Sequence, residues 1–306
     1  MSGQLAWTFL LLIFLFENNM YSRKQFLKLT GGAILGATFS KDVMAAGKKG
    51  TIKNLGIQLY TLREDLPKNP KDVLKQIASF GYKEIESYEG AQGMFWGMGN
   101  IGFKKYMDEL GMKMVSSHCD FRKNFEQKAA EAAEIGMKYL ICPHVGRQKT
   151  LDGYKKIADE FNAAGEICKK NGIRFAYHNH DYSFRQQEGQ FPQDIMMQKT
   201  KPNLVDFEMD IYWVVAAEQD PVKWLKKYPG RFKLSHIKDR TKGIVPKQGE
   251  PNVSCIVGTG SINYPSILKE AKKLGMIHYI LEQEAYEKAP IECVKEGAEY
   301  LNKIRF

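Results

Sequence analysis

The amino-acid sequence predicts an α/β protein built as a single (β/α)8 barrel, with an N-terminal export signal in front of it. From Leu55 to the C terminus, eight short apolar segments alternate with longer segments of helical periodicity. Strict alternation of this kind predicts parallel strands, and eight strand–helix units are the number that closes a barrel. An open, doubly wound sheet is the alternative, but no G-x-G-x-x-G pattern follows the first strand segment.

The predicted barrel occupies residues 50–306, close to the usual size of about 250 residues. The predicted strands are residues 55–60, 82–87, 112–118, 137–143, 173–178, 204–210, 231–237 and 276–282. The predicted helices lie near residues 70–80, 101–110, 122–136, 151–171, 192–200, 220–228, 264–274 and 290–304. A glycine stands before five of the strands, where it suits the left-handed residue that ends a helix: Gly81, Gly111, Gly136, Gly172 and Gly275.

Residues 1–49 have the composition of a targeting segment. The apolar run 5–16 is too short to span a bilayer. Ser22-Arg23-Lys24 then precedes a mild apolar stretch and a small-residue exit at Ala45-Ala46, which is the anatomy of an export signal. This segment resembles a twin-arginine signal with Lys24 as the second basic residue, and Met20 is an alternative start. We expect a periplasmic protein, or a cytoplasmic one if the signal is not used.

Net charge and cysteine content further limit the classes of protein to which the chain can belong. Of the formal net charge of +10, residues 1–49 carry +4, and the remaining +6 is scattered, which favours solvated helix faces over a nucleic-acid surface. The five cysteines include no C-x-x-C pair, so they predict free buried thiols rather than disulfides or a zinc knuckle. We expect no nucleic-acid partner, and contact with a membrane only during export.

Polar residues gather where the predicted strands end. Active sites of (β/α)8 barrels lie at that face, and isolated buried polar groups are costly, so a shared site is the simplest explanation. Five of the six histidines follow this pattern, and only His278 does not. The residues, in strand order, are Gln58 and Tyr60, Glu86, His118, His144, His178 to Asp181, Glu208 and Asp210, His236 to Asp239, and Glu282 to Glu284.

Imidazoles combined with carboxylates indicate a divalent metal such as Mn, Co, Fe or Zn. Residues i and i+2 of a strand face the same way, so Glu208 and Asp210 both point inward. His178 and His180 share a face by the same rule, as do Glu282 and Glu284. Asp210 lies nearer the strand end and is the better ligand, with Glu208 as a deeper polar partner.

These motifs resemble the xylose isomerase-like TIM-barrel superfamily of sugar isomerases, epimerases and dehydratases, over residues 52–305. The segments that carry the resemblance are 56–63 (GIQLYTLR), 81–86 (GYKEIE), 177–181 (YHNHD), 208–213 (EMDIYW), 236–239 (HIKD) and 282–284 (EQE). The resemblance implies one divalent ion, Mn, Co, Mg or Zn, held by one residue from each of strands five to eight: His178, Asp210, His236 and Glu282. The family's usual residue at the position of His178 is glutamate, and Trp213 stands where a histidine is usual.

The resemblance further implies a small-molecule sugar substrate and leaves a homodimer open. We expect a sugar isomerase or epimerase that acts on a keto-sugar or polyol through an enediolate. Glu282 or His180 would be the base, and Lys238 would hold an oxyanion or pair with Asp239 or Glu208. The residues expected to bind the sugar are Glu86, His118, His144, Glu208 and Trp213, with Trp96 and Phe95 on a glycine-rich lid.

Three alternatives remain at this point. The first is a lyase or dehydratase on 3-keto-glycosides or keto-polyols, since an enediolate can also expel a β-oxygen. The second is a non-catalytic sugar-binding barrel. The third is metal-dependent phosphodiester cleavage. That activity needs more metal ligands than this sequence provides, and it needs a basic face, which we do not find in the sequence.

Overall fold

The computed structural model describes residues 50–246 and 252–306. Residues 50–306 form one compact unit. The predicted export signal and the alternative start at Met20 lie outside the described residues, so both stay predictions. Within the described residues, we find no helix with the length and apolarity needed to cross a membrane.

Eight parallel strands close into a barrel, which confirms the predicted fold class. Around the barrel the strands follow the order β1-β10-β7-β6-β5-β4-β3-β2, and β1 pairs with both β2 and β10. The barrel strands are β1 (Leu55–Gln58), β2 (Glu84–Tyr88), β3 (Lys113–His118), β4 (Tyr139–Cys142), β5 (Arg174–His178), β6 (Val205–Asp210), β7 (Phe232–Ile237) and β10 (His278–Leu281). Two short strands, β8 (Asp239–Arg240) and β9 (Ser254–Cys255), form a separate antiparallel pair.

Helices follow the barrel strands as predicted. Five of them begin with a proline in the first turn, where the missing N–H costs no hydrogen bond. The five glycines predicted to end helices all have positive φ, between 67° and 96°. The helices are α1 (Pro70–Ser79), α2 (Gly99–Glu109), α3 (Phe125–Glu134), α4 (Leu151–Lys170), α5 (Pro192–Lys199), α6 (Ile211–Ala216), α7 (Pro221–Lys227), α8 (Tyr264–Lys273) and α9 (Pro290–Lys303).

Among the elements that were not predicted, α6 and the β8–β9 pair each depend on an aspartate. The helix α6 starts directly after β6, because the Asp210 side chain accepts a hydrogen bond from the Trp213 N–H at 3.1 Å. The β8–β9 pair lies in the segment predicted as a long loop. There Asp239 accepts from the backbone N–H groups of Gly258 and Gly260, at 3.0 and 3.1 Å. Asp239 is therefore a loop anchor and does not pair with Lys238.

Beside the main core, the barrel strands carry a second, small apolar cluster. It consists of buried residues of β4, β5, β7 and β10: Tyr139, Ile141, Ala176, Leu234 and Ile280. Buried polar side chains stand on the same strands at or near their C-terminal ends, as His178 does on β5 and His236 on β7. All five cysteines are free and buried, as predicted.

Candidate metal centre and active site

Four side chains from four neighbouring strands meet at the C-terminal mouth of the barrel. One donor atom from each lies within 4.8 Å of the others, and all four residues are buried. Strands β5, β6 and β7 supply one residue each, and the fourth follows directly after β10. This ligand group consists of His178, Asp210, His236 and Glu282, the residues that the sequence predicts as metal ligands.

The spacing and chemistry of the ligand group fit a divalent ion. Donor atoms about 2.0–2.2 Å from a tetrahedral ion lie roughly 3.3–3.6 Å from one another. His178 Nε2 is 3.4 Å from Asp210 Oδ2, and His236 Nδ1 is 3.1 Å from Glu282 Oε2. His178 Nε2 is also buried without a hydrogen-bond partner in the described part of the chain. Its other nitrogen, Nδ1, lies 3.0 Å from the Pro143 carbonyl, which orients the ring.

Lys238 is a buried cation beside the ligand group. Its Nζ lies 3.0 Å from Asp210 Oδ2, 2.7 Å from Glu282 Oε2 and 2.6 Å from Glu284 Oε1. Burial alone would lower the pKa of Lys238, but these carboxylates raise it well above its usual value. Burial would raise the pKa of Asp210, yet Lys238 and His178 hold it well below its usual value. Lys238 therefore forms ion pairs, as predicted, but its partners are Asp210, Glu282 and Glu284 instead of Asp239 or Glu208.

A second polar group lies beneath the first and shares His236. It contains Glu86, His118, Glu208 and His236, all buried. His236 Nε2 is 2.6 Å from Glu86 Oε1, and His118 Nε2 is 2.9 Å from Glu208 Oε2. These two separations are those of charge-assisted hydrogen bonds, although His236 Nε2 also lies 3.4 Å from Glu208 Oε2. Burial, followed by the nearby carboxylate of Glu86, raises the pKa of Glu208.

A cavity of about 560 Å³ opens above the ligand group. His178 and Glu282 form part of its lining, so the proposed metal position faces a space large enough for a small sugar. The other lining residues are Tyr60, Tyr88, Glu89, His118, Cys119, Asp120, Lys123, Pro143, His144, His180 and Glu284.

His180 is a cavity-lining imidazole whose protonated form is disfavoured. Its ring packs against His178, His144 and Trp213, at centroid distances of 5.0, 4.9 and 5.4 Å. Burial, followed by the nearby His178 and His144, lowers the pKa of His180 well below its usual value. Its Nδ1 is buried and has no hydrogen-bond partner among the described residues. His180 is therefore a neutral imidazole with a nitrogen available for a proton.

Comparison with known proteins identifies the family. The profile of the xylose isomerase-like TIM barrel family matches residues 74–304. The chain belongs to this family. A sugar phosphate isomerase/epimerase from Parabacteroides distasonis ATCC 8503 is 30% identical, with a TM-score of 0.69 over 84% of this chain and 96% of that one.

Two further comparisons describe the breadth of the xylose isomerase-like family. An inosose dehydratase from Clostridium botulinum (strain Alaska E43 / Type E3) is 28% identical over 86% of this chain and 92% of its own. A 3-keto-D-glucoside 4-epimerase from E. coli is 15% identical, with a TM-score of 0.61 over 81% of this chain and 98% of that one, and that likeness shows the fold alone. The names of the similar proteins thus divide between isomerases or epimerases and dehydratases.

In this member of the xylose isomerase-like family, four predicted sugar contacts do not line the cavity. Glu86 and Glu208 are fully buried beneath it, and half-buried Trp213 lies behind His180. Trp96 is only 2% exposed. Its Nε1 donates to Ser87 Oγ at 3.0 Å, and its ring packs on Tyr88, so it supports the cavity wall from behind. Phe95, its predicted partner on the lid, is buried and packs near Phe103.

Several lining residues of this xylose isomerase-like barrel were not predicted. Tyr88 ends β2, two residues after Glu86, and the alternation of side chains along a strand is the signal that pointed to it. It forms an edge-to-face pair at 5.2 Å with Tyr60, which the sequence predicts at the site and which lies just beyond β1. Four others lie on loops, where no periodicity reports orientation: Glu89, Cys119, Asp120 and Lys123.

Proposed function

We propose that this chain is a divalent-metal-dependent sugar isomerase or epimerase that acts on a keto-sugar or polyol through an enediolate. One observation carries the proposal. The ligand group lies at the floor of a sugar-sized cavity whose wall contains the neutral imidazole of His180. Metal, base and substrate space therefore adjoin one another, as proton abstraction next to a carbonyl requires.

His178, Asp210, His236 and Glu282 would hold the metal. A bound divalent ion supplies Lewis-acid polarisation of a carbonyl oxygen, which makes the neighbouring C–H more acidic. Lys238 keeps the carboxylates of Asp210 and Glu282 ionised and fixed in place, because its ammonium group lies within 3.0 Å of both. In this role Lys238 acts on the ligands rather than on the sugar.

Proton transfer falls to residues on two sides of the mouth. His180 follows β5 and Glu282 follows β10, which are three strands apart in a ring of eight. His180 would take the proton from the carbon next to the carbonyl. Return of that proton to the neighbouring carbon gives isomerisation, and delivery of a proton from the opposite face by Glu284 gives epimerisation. Burial raises the pKa of Glu284, which favours a carboxyl group able to carry a proton.

A dehydratase is the second candidate, supported by a specific observation. The inosose dehydratase from Clostridium botulinum matches over 86% of this chain. The same enediolate that is reprotonated by an isomerase expels a β-hydroxyl in a dehydratase, with loss of water. His144 would then act as the acid that protonates the leaving oxygen, since it lines the cavity beside His180.

Metal content of the purified protein tests the ligand assignment. We expect close to one divalent ion per chain, measured by inductively coupled plasma mass spectrometry, in the wild type. His236→Ala and Asp210→Ala should lose most of that metal, because each removes one of four donors. His278→Ala is the matched control, since this buried histidine pairs with Glu84 and does not belong to the ligand group. Full metal content in both ligand variants would refute the assignment.

Turnover in deuterated buffer separates the two candidate reactions. The metal-loaded protein is incubated with free ketoses, 3-keto-glucosides and inososes, and products are followed by NMR. An isomerase or epimerase incorporates deuterium at a carbon next to the carbonyl and conserves the carbon skeleton and its oxygens. A dehydratase yields an unsaturated or diketo product that has lost one water. A His180→Gln variant should retain its metal and lose turnover by about 100-fold or more.

A further inference from the structure

A chain of hydrogen bonds leads from the end of β1 to a proposed metal ligand. Gln58 Oε1 accepts from the backbone N–H of Tyr60 at 3.0 Å, which fixes the orientation of the amide. Gln58 Nε2 therefore points inward and donates to Glu86 Oε1 at 2.8 Å. Ser116 Oγ lies 2.6 Å from the other carboxylate oxygen of Glu86. The backbone at the end of β1 thus determines, through Gln58, the position of the Glu86 carboxylate inside the barrel.

Glu86 in turn meets the ring of His236. His236 Nε2 lies 2.6 Å from Glu86 Oε1, and His118 Nε2 lies 3.2 Å from the same oxygen. Glu86 and His236 are both fully buried, so water does not compete for these contacts. An ionised carboxylate only accepts hydrogen bonds, so the Nε2 of His236 carries a hydrogen. The other nitrogen, Nδ1, faces Glu282 Oε2 at 3.1 Å, and a divalent ion held by the ligand group would displace the hydrogen shared there and take the Nδ1 lone pair.

We infer that Glu86, held in place by Gln58 and Ser116, is a positioning residue that presents Nδ1 of His236 to the metal. The inference rests on the proposed function, because it takes the ligand group as the metal site. It assigns Glu86 a role different from the sugar contact that the sequence predicts. Carboxylates that accept the second N–H of a ligating histidine fix its tautomer and raise its basicity, and their loss typically weakens metal binding about 10–100-fold.

The barrel contains a matched control on the same strand. Glu84 stands two residues before Glu86 on β2, and its Oε2 lies 2.7 Å from Nδ1 of His278. Both pairs join a buried glutamate to a buried histidine. Only His236 belongs to the ligand group. Glu84→Gln and Glu86→Gln therefore remove the same kind of charge from the same strand, at different distances from the metal.

Two measurements on the chelator-treated full chain test the inference. The first is the affinity for Zn²⁺, measured by competition with a chelating dye, and the second is the visible absorption spectrum of the Co²⁺ form. Circular dichroism first verifies that each variant is folded. We expect Glu86→Gln to weaken Zn²⁺ binding about 10–100-fold and to change the Co²⁺ spectrum, whereas Glu84→Gln leaves both unchanged. Gln58→Leu should weaken binding less, because it frees Glu86 without removing its charge.

The possible results separate this inference from the proposed function. Wild-type affinity in Glu86→Gln, or equal weakening in Glu84→Gln, would overturn the positioning role while leaving the metal site intact. A wild-type chain that binds neither Zn²⁺ nor Co²⁺ would overturn the proposed function and the inference with it. If Glu86→Gln does not fold, Gln58→Leu carries the test, and wild-type affinity in that variant would refute the hydrogen-bond chain.

Discussion

His178 distinguishes this ligand group from one made mainly of carboxylates. It contributes a neutral nitrogen, so the formal negative charge of the ligand group comes from Asp210 and Glu282 alone. Imidazole ligands suit Zn and Co, whereas carboxylates suit Mg and Mn. The identity of residue 178 therefore bears directly on which metal the site prefers.

Replacing His178 by glutamate should move the metal preference toward harder ions. We expect His178→Glu to raise the affinity for Mn²⁺ relative to Zn²⁺ about tenfold, which corresponds to about 1.4 kcal/mol. Competition titrations with both metals on wild type and variant measure the ratio. His144→Glu is the control, because it places the same charge on the cavity wall outside the ligand group. An equal change in both variants would attribute the effect to the general field of the added carboxylate.

Strand alternation predicts which residues share a face, but it does not predict depth. Glu208 and Asp210 both point inward on β6 as expected, and only Asp210 reaches the ligand group. Glu86 also points inward, yet it is fully buried beneath His236 and lines no part of the cavity. Depth depends on the tilt and stagger of neighbouring strands, which a single sequence does not specify. For this reason the grouping of the proposed ligands was predictable, and the full set of residues that line the cavity was not.

At the scale of the element, the eight strand–helix units were predictable because their signals are local. Prolines and glycines mark where helices begin and end, and apolar periodicity marks what lies between. The loop between β2 and α2 lacks such a signal. Trp96 has a positive φ of 53°, and its side chain lies inside the protein, bonded to Ser87. No pattern of residues predicts that conformation for a tryptophan, so its predicted place on a lid had no local support.

Two helix N-termini allow a direct test of capping energies. The Asp220 side chain accepts from the backbone N–H groups of Val222 and Lys223 at the start of α7, at 2.8 and 3.4 Å. Thr150 precedes α4 and makes no capping hydrogen bond with its side chain. We expect Asp220→Ala to lower the free energy of unfolding by about 1 kcal/mol. Thr150→Ala should have almost no effect in the same denaturant titration, and an equal loss in both variants would contradict the observed caps.

At the scale of the whole molecule, the barrel brings several carboxylates together around one buried lysine. A divalent ion would add positive charge beside those carboxylates. Asp210, Glu282 and Glu284 all meet the buried ammonium of Lys238 at the mouth. A bound ion joins four strands of the barrel that are distant in sequence, and only the folded chain brings those donors together. Metal binding therefore favours the folded state and should raise the unfolding temperature.

The size of this stabilisation follows from mass action. At a free metal concentration 100 times the dissociation constant, binding adds about 2.7 kcal/mol of stability. For a domain of this size each kcal/mol raises Tm by about 2–4 °C, so Zn²⁺ should raise it by roughly 5–10 °C over the chelator-treated protein. Differential scanning calorimetry with and without metal measures the change.

The control for this prediction is a substitution that keeps the cap of α6 and removes the ligand. In Asp210→Asn, the amide oxygen still accepts from the Trp213 N–H, and the amide nitrogen takes the place of the Oδ2 that faces His178. An NH₂ group donates hydrogen bonds and does not ligate a cation, so the increase in Tm should disappear although the helix is still capped. If Asp210→Asn shows the same increase as the wild type, the stabilising ion is bound elsewhere on the chain.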